Sequence, residues 1–435
     1  MKLKITTTTI LAFNIFAATH AFAKEYSASD KQLLNVIKAF SVWPLKKEVI
    51  NTSPEYLAKV ELGRKLYIDK NLSGNRRISC QTCHDPRLGT SDAKALSQTE
   101  DGKGVLRRHS PHLYNIGDPD NTFMFWDGRV EYNNVSKMFK TPEKALNGKE
   151  PDSPEIVSVL SGALAAQAIF PLVSHEEMSG KVGENEIANA KTNLEAWDLI
   201  VNRLKSEEAS SQYIEMFNKS YPETPVEQIN IGHVGEALAS FMREEFRSQG
   251  SPFHRFLAGD PDAMTAQQKR GLEIFSSRGR CITCHQGNNL GGNVGFLSVG
   301  VPTFGATPFG ADRGRAEIRQ SALLNFSFKT PDLVNLSLTA PYMHNGAFKT
   351  IREVMNHYNN INKSLSNYVL TPERKKEFPV DVEVLKSKEV LNEIWNSMQF
   401  PFLRNGLNLN QFEMNDLEAF LTEALTDPKF KAQIR

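Results

Sequence analysis

Cys80-Gln81-Thr82-Cys83-His84 and Cys281-Ile282-Thr283-Cys284-His285 are two pentapeptides of one type, and together they hold every cysteine of the 435-residue chain. Two thiols three positions apart, followed directly by a histidine, form the C-x-x-C-H signature of c-type haem attachment. Each thiol can add to a haem vinyl group, and the adjacent histidine is then placed to ligate the iron from one face. Related residues serve other chemistry. A C-x-x-C pair can be a redox disulfide, and two pairs with histidines can hold zinc. Zinc pairs of one site usually lie within roughly 20 residues of each other, whereas these lie about 200 apart. A thioredoxin-type pair is expected near a βαβ pattern, and neither motif has one. Two covalent haems account for all six residues.

The first 23 residues read as a secretory signal peptide. Lys2 and Lys4 form a charged start, Ile10-Leu11-Ala12-Phe13 and Ile15-Phe16-Ala17-Ala18 an apolar stretch, and Ala21-Phe22-Ala23 a cleavage site of A-x-A type. A membrane anchor needs about 20 apolar residues; this run is shorter and ends in small residues. No later segment is apolar enough to span a bilayer, so no transmembrane segment is expected after signal removal. The periplasm is the expected location, since covalent c-type attachment takes place outside the cytoplasm. The formal charge moves only from +1 to −1 when Lys2 and Lys4 are removed. That balance, without charge runs, argues against a nucleic-acid partner.

The surroundings of the two motifs are alike. A helical pattern from Pro54 closes on Leu62-Gly63-Arg64-Lys65-Leu66-Tyr67. Another from Thr265 closes on Arg270-Gly271-Leu272-Glu273-Ile274-Phe275. Between the motifs, residues 154–168, 185–205, 209–219 and 226–247 read as helix, and alternating strand patterns are nearly absent. Long Gly/Pro-rich stretches follow each motif, notably 286–314, where loops would wrap a cofactor. The expected fold is mostly α: two cytochrome c-like haem domains related by duplication, with long loops around the haems. Boundaries are placed at 1–23 for the signal, 24–260 for the first domain with a helical insertion, and 261–435 for the second. Gly259-Asp260-Pro261-Asp262 serves as linker.

Along nearly the whole mature length, the sequence resembles the bacterial di-haem cytochrome c peroxidases and their MauG relatives. The resemblance runs through Leu62-Gly63-Arg64-Lys65-Leu66, Leu72-Ser73-Gly74, Phe125-Trp126-Asp127-Gly128-Arg129 and Glu176-Glu177-Met178. It continues through Ser251-Pro252-Phe253, Lys329-Thr330-Pro331 and Thr339-Ala340-Pro341-Tyr342-Met343-His344-Asn345-Gly346. It implies hydrogen peroxide as oxidant and electron transfer between two haems. His84 and His285 match the proximal iron ligands. Trp126 matches a tryptophan between the haems, suited to relaying an electron or hole; by itself it would read as a core residue beside a turn. Glu177 matches the distal glutamate that moves a peroxide proton. Read alone, Glu177 with Ser174 would be a capping box.

Two departures follow. Family peroxidases carry a histidine on the loop after the first haem that blocks the iron, but no histidine occurs from Asp85 to Arg108. An open distal face is therefore expected, with His109 as the competing ligand. Fourteen residues after His344, where those peroxidases have a methionine, this chain has Tyr358, as MauG has. A hard phenolate favours ferric and higher states where a thioether raises the potential. Tyr358 is thus the expected distal ligand of the second iron, with Met355 and Met343 as alternatives. For calcium, Thr339 and Pro341 match two family positions, but the third is His109, and imidazole is a poor ligand for a hard cation. His175, His233, His254 and His357 match no role and read as structural or surface residues. The implied function is a di-haem peroxidase fed by a small cytochrome c or cupredoxin. MauG-like oxidation of a partner protein's Trp or Tyr, and a non-catalytic di-haem electron carrier, stand as alternatives.

Overall fold

Two helices that run up to the pentapeptides organise the protein. Pro54–Ile68 starts with proline at its first turn and is capped by Ser53, whose hydroxyl accepts from Tyr56 N–H at 3.3 Å. Ala266–Ser276 starts with a capping box: Gln268 N–H donates to Thr265 Oγ1 at 3.2 Å, and Thr265 N–H to Gln268 Oε1 at 3.0 Å. Each carries one glycine where a neighbouring helix presses closest. A Cβ on Gly63 would sit 2.0 Å from the carbonyl oxygen of Ala237, in the helix Ile231–Glu245. A Cβ on Gly271 would sit 2.1 Å from that of Asp416, in the helix Gln411–Ala419. Only a residue without a side chain lets these backbones meet.

The computed structural model describes residues 25–43, 51–206, 210–291, 295–306 and 310–434. The signal-peptide expectation for Met1 to Ala23 lies outside them. The protein is 46% helical, and its strands are two or three residues long, so helices carry the architecture. Phe123–Met124, Val130–Tyr132 and Phe139–Lys140 form one small antiparallel sheet. Phe296–Leu297 pairs with Phe328–Lys329, and Phe304–Ala306 with Val382–Val384. No described helix is long and apolar enough to cross a membrane.

The two crossing helix pairs seed separate apolar clusters. Leu62, Leu66 and Tyr67 pack with Trp197, Phe217 and Phe241 in the first. Leu272 and Phe275 pack with Phe253, Phe256, Leu417 and Phe420 in the second. The chain ends cross over. Ile37 at the end of the helix Ala28–Lys38, and Val42 beyond it, lie in the second cluster. Phe430, near the other end, packs in the first, 4.7 Å from the ring of Tyr114.

Several expected helices are shorter than their periodicity suggests, because side chains satisfy backbone groups in competition with the helix. In 185–205 only Asn193–Lys205 is helical. Asn185 Oδ1 accepts from Ala188 N–H, Asn189 Oδ1 from Gly183 N–H, and Thr192 caps the helix start. Residues 154–168 divide into Pro154–Val157 and Ala163–Gln167. Asn230 restarts 226–247 as Ile231–Glu245.

Candidate active site

The first pentapeptide turns through the one-turn helix Cys80–Cys83, pinned by Ser79 N–H donating to Thr82 Oγ1 at 3.0 Å. The Tyr67 hydroxyl, from the end of Pro54–Ile68, donates to the carbonyl of His84. The ring of His84 is held from behind. Its Nδ1–H lies 3.2 Å from Thr90 O and 3.1 Å from Ser110 Oγ, whose own hydroxyl donates to Cys83 O. A carbonyl only accepts, so Nδ1 carries the proton and Nε2 keeps its lone pair for a metal. The second pentapeptide repeats this arrangement. His285 Nδ1 is 3.0 Å from Leu290 O, and both histidine amides close on the first cysteine's carbonyl, at 3.0 and 2.9 Å.

Each motif opens onto a cavity. Cys80, Cys83 and His84 line one, together with Glu177, Arg129 and Gln167. Cys281, Cys284 and His285 line the other, with Tyr358, Met355 and Met343. Two thiols and one backed imidazole at the wall of a largely apolar cavity are the donor set a c-type haem requires, so both sites fit the group. The four cysteines form no disulfide. Burial pushes the thiols of Cys80, Cys83 and Cys281 up to about 12 and that of Cys284 to about 11. Among the described residues no group of three His, Cys, Asp or Glu is placed to hold a metal ion. The zinc and disulfide readings therefore find no support.

Glu177 sits on the π-turn His175–Ser179, where the amides of Glu177, Met178 and Ser179 converge on Ser174 O at 3.0–3.2 Å. Ser174 makes no side-chain cap, so the capping box does not form; its carbonyl, accepting three amides in the wider π pattern, organises the turn instead. Burial raises the carboxyl pKa of Glu177, with Arg129 and the Ser174 hydroxyl opposing. Arg129 itself is ion-paired to Asp127 at 3.1 Å and lies 3.6 Å over the ring of Phe125.

Trp126 is the one described residue that lines both cavities. Its indole N–H donates to His109 O at 2.8 Å, and His109 N–H donates to His344 O at 2.7 Å. The His109 imidazole also borders the first cavity, with Nδ1 2.7 Å from Lys94 O. In the second cavity, Tyr358 comes from the helix Ile351–Asn359. Burial raises its phenol pKa, and its hydroxyl has no hydrogen-bond partner among the described residues. Met355 lies one turn earlier and is 4% exposed. All three candidate ligands thus share one cavity with His344, which stacks 3.6 Å from Phe328 and whose buried Nε2 is unpartnered.

Sequence reasoning missed Arg108. Its guanidinium bridges Asp127 at 2.5 Å and Asp312 at 2.7 and 2.9 Å, tying the Trp126 turn to the second half of the chain. The Arg107-Arg108 pair beside buried histidines was the available signal. The unmatched histidines are structural: His175 reaches Gly180 O, His233 the amide of Asn230, His254 Asn288 O, and His357 Val299 O.

Residues 57–262 match the family described as di-haem cytochrome c peroxidase. The cytochrome c551 peroxidase of Pseudomonas aeruginosa is 30% identical over 301 residues, 68% of this chain and 70% of the relative. This chain belongs to the di-haem cytochrome c peroxidase and MauG family. The methylamine utilization protein MauG of Methylorubrum extorquens is 29% identical over 302 residues, covering 69% and 68% of the two chains. Among solved structures, a MauG-like protein associated with microbial copper homeostasis superposes with a TM-score of 0.59 at 22% identity, over 89% of this chain and 96% of the other. The diheme peroxidase BthA of Burkholderia thailandensis gives 0.59 at 17% identity, over 90% and 92%. The protein is an oxidoreductase of the cytochrome c peroxidase/MauG type, and its family implies two haems.

Proposed function

We propose that the protein reduces hydrogen peroxide at a haem held covalently by Cys80 and Cys83 and ligated by His84. Electrons would come through a second haem, attached at Cys281 and Cys284 and ligated by His285. The observation that carries this reading is Trp126, the shared wall of the two cavities. When bound, the haems would supply the redox chemistry needed for O–O cleavage at the first site and electron exchange at the second. The chain supplies the rest. His84 and His285 stay in one tautomer because backbone carbonyls hold their Nδ1–H. Glu177, with its pKa raised by burial, takes the proton from the near peroxide oxygen and returns it to the departing one. Trp126 relays the oxidising equivalent, its indole N–H fixed on His109 O.

The reading places the enzyme in the periplasm after removal of residues 1–23. It divides the chain near 260 into two cytochrome c-like units descended by duplication. The paired glycines Gly63 and Gly271 and the matching histidine turns support duplication. The crossed chain ends make residues 28–42 a structural part of the second unit. Calcium has no further support: the His109 ring already bonds Lys94 O at its family position.

Tyr358 favours a second reading, MauG-like oxidation of a tryptophan or tyrosine on a partner protein. A phenol in the second cavity, without a hydrogen-bond partner among the described residues, is available to the iron, and a hard oxygen ligand disfavours the reduced state that peroxidase turnover needs. Spectroscopy of the ferric protein tests both readings. An open first haem gives a high-spin signal. A low-spin signal there that becomes high-spin in His109→Leu would assign His109 as its ligand, and two low-spin haems that do not react with peroxide would leave a non-catalytic carrier. Rapid peroxide consumption with reduced cytochrome c, unchanged in Tyr358→Phe, would eliminate the MauG-like reading.

A further inference from the structure

The cations around the two cavities are satisfied very differently. In the first cavity, Arg107 pairs with Glu317 at 2.8 Å, Arg108 with Asp127 and Asp312, and Arg129 with Asp127. In the second, Arg280 is exposed and lies over the ring of Phe402. Lys329 is the other cation there, and it is partly buried. Its backbone is fixed by pairing with Phe296 and by N–H donation to Trp126 O at 2.8 Å. Its ammonium makes one long hydrogen bond, 3.3 Å to Asn121 Oδ1, and no ion pair among the described residues. The neighbouring Asp332 turns an oxygen to the Asn121 amide instead. Burial lowers the ammonium pKa, with Asp332 only partly opposing.

An ammonium held away from water without an anion is strongly disfavoured. A lysine kept in such a place, with its side chain bordering a cavity, has its anion in that cavity. The two-haem reading, on which this step rests, supplies one: a c-type haem is joined to the protein through its vinyl groups, and its two propionates remain as carboxylates. We propose that Lys329 is the propionate anchor of the second haem and sets its reduction potential. One positive charge at the haem edge stabilises the ferrous form, which carries one charge less than the ferric. The backbone N–H of the same residue donates to Trp126 O, so the anchor is joined through the main chain to the residue that both cavities share.

The experiment is a potentiometric titration of the loaded protein, followed by absorbance. The second haem is identified by its absence from the Cys281→Ala/Cys284→Ala protein. Lys329→Gln should shift the ferric/ferrous equilibrium of that haem at least tenfold toward ferric, about 59 mV for a one-electron couple, and move the first haem much less. Lys329→Arg should restore the potential. Lys329→His should give the second haem a potential that falls as the imidazole deprotonates with rising pH, a readout available even where the glutamine variant does not fold. A haem count of one in the wild-type protein would remove the two-haem reading itself. Two haems, with a second potential indifferent to glutamine and flat with pH in the histidine variant, would overturn the anchor alone.

Discussion

The two cavities share one attachment geometry and differ in almost everything around it. Both have a one-turn entry, a histidine amide closed on the first cysteine's carbonyl, and an Nδ1–H held by a carbonyl five or six residues later. Around the first cavity stand Glu177 and three ion-paired arginines. Around the second stand Phe, Leu and Met side chains, Tyr358 and a lysine, Lys329, with no ion pair among the described residues. A polar wall with a protonatable carboxyl suits chemistry that moves protons. An apolar wall suits a centre that changes oxidation state with little reorganisation of its surroundings. On the proposed reading, the motif would place a haem, while the residues brought in from elsewhere in the chain would decide what the haem is for.

The largest expected break in that contrast is Glu177→Gln. It should slow peroxide cleavage by about 10²–10⁴-fold in stopped-flow measurements and leave the spectrum of the second haem untouched; unchanged cleavage would remove the role. Stability should move oppositely. The folded-state pKa of Glu177 lies above its unfolded value, so its contribution is fully present below the unfolded pKa and lost as pH rises through the folded one. Glu177→Gln should therefore unfold at the same or higher temperature than wild type near neutral pH, with the difference vanishing in acid.

Next in size is Arg108→Ala, which leaves Asp127 and Asp312, 4% and 6% exposed, without their shared partner. Breaking a buried pair typically costs about 3–5 kcal/mol, to be read from denaturant unfolding. Burial works to raise both aspartates, but Arg108 outweighs it and holds them below the ordinary carboxylate range. The stability they contribute is present above their unfolded pKa and lost as pH falls through the folded one. The variant should accordingly lose part of the wild-type acid transition, and an unaltered acid profile would count against the network.

Gly63→Ala and Gly271→Ala test the likeness of the two units. Each new methyl meets a backbone oxygen near 2 Å, and overpacking of this kind costs about 1–3 kcal/mol. Similar losses at both sites would sharpen the parallel; a loss at only one would show that the two crossings are not equivalent. The smallest effect on folding is expected from Tyr358→Phe. Its hydroxyl makes no hydrogen bond among the described residues, so stability should stay within about 0.5 kcal/mol while the absorbance of the second haem changes. A change confined to the first haem would place Tyr358 outside the coordination sphere.

Much of this was legible because it is local. Cysteine and histidine spacing is a property of five consecutive residues, and the helices Pro54–Ile68 and Ala266–Ser276 declare themselves through their caps and periodicity. The shortening of 185–205 was not legible, since it depends on which asparagine reaches which amide. Glu177 and Trp126 could be singled out by likeness to relatives, but not from pattern: a glutamate after a serine and a tryptophan before a turn are ordinary.

The sequence by itself determined that two haem-type turns would form and that helices would lead into them, because covalent spacing and helix capping act over a few residues. Only the tertiary structure decided that Trp126 borders both cavities, that Arg108 joins two distant aspartates, that the chain ends exchange clusters, and that Lys329 makes no ion pair among the described residues. Those outcomes depend on burial and on contacts between segments from about 200 to more than 300 positions apart. No local pattern encodes them; they arise when apolar surface is removed from water and each buried charge has to find a partner.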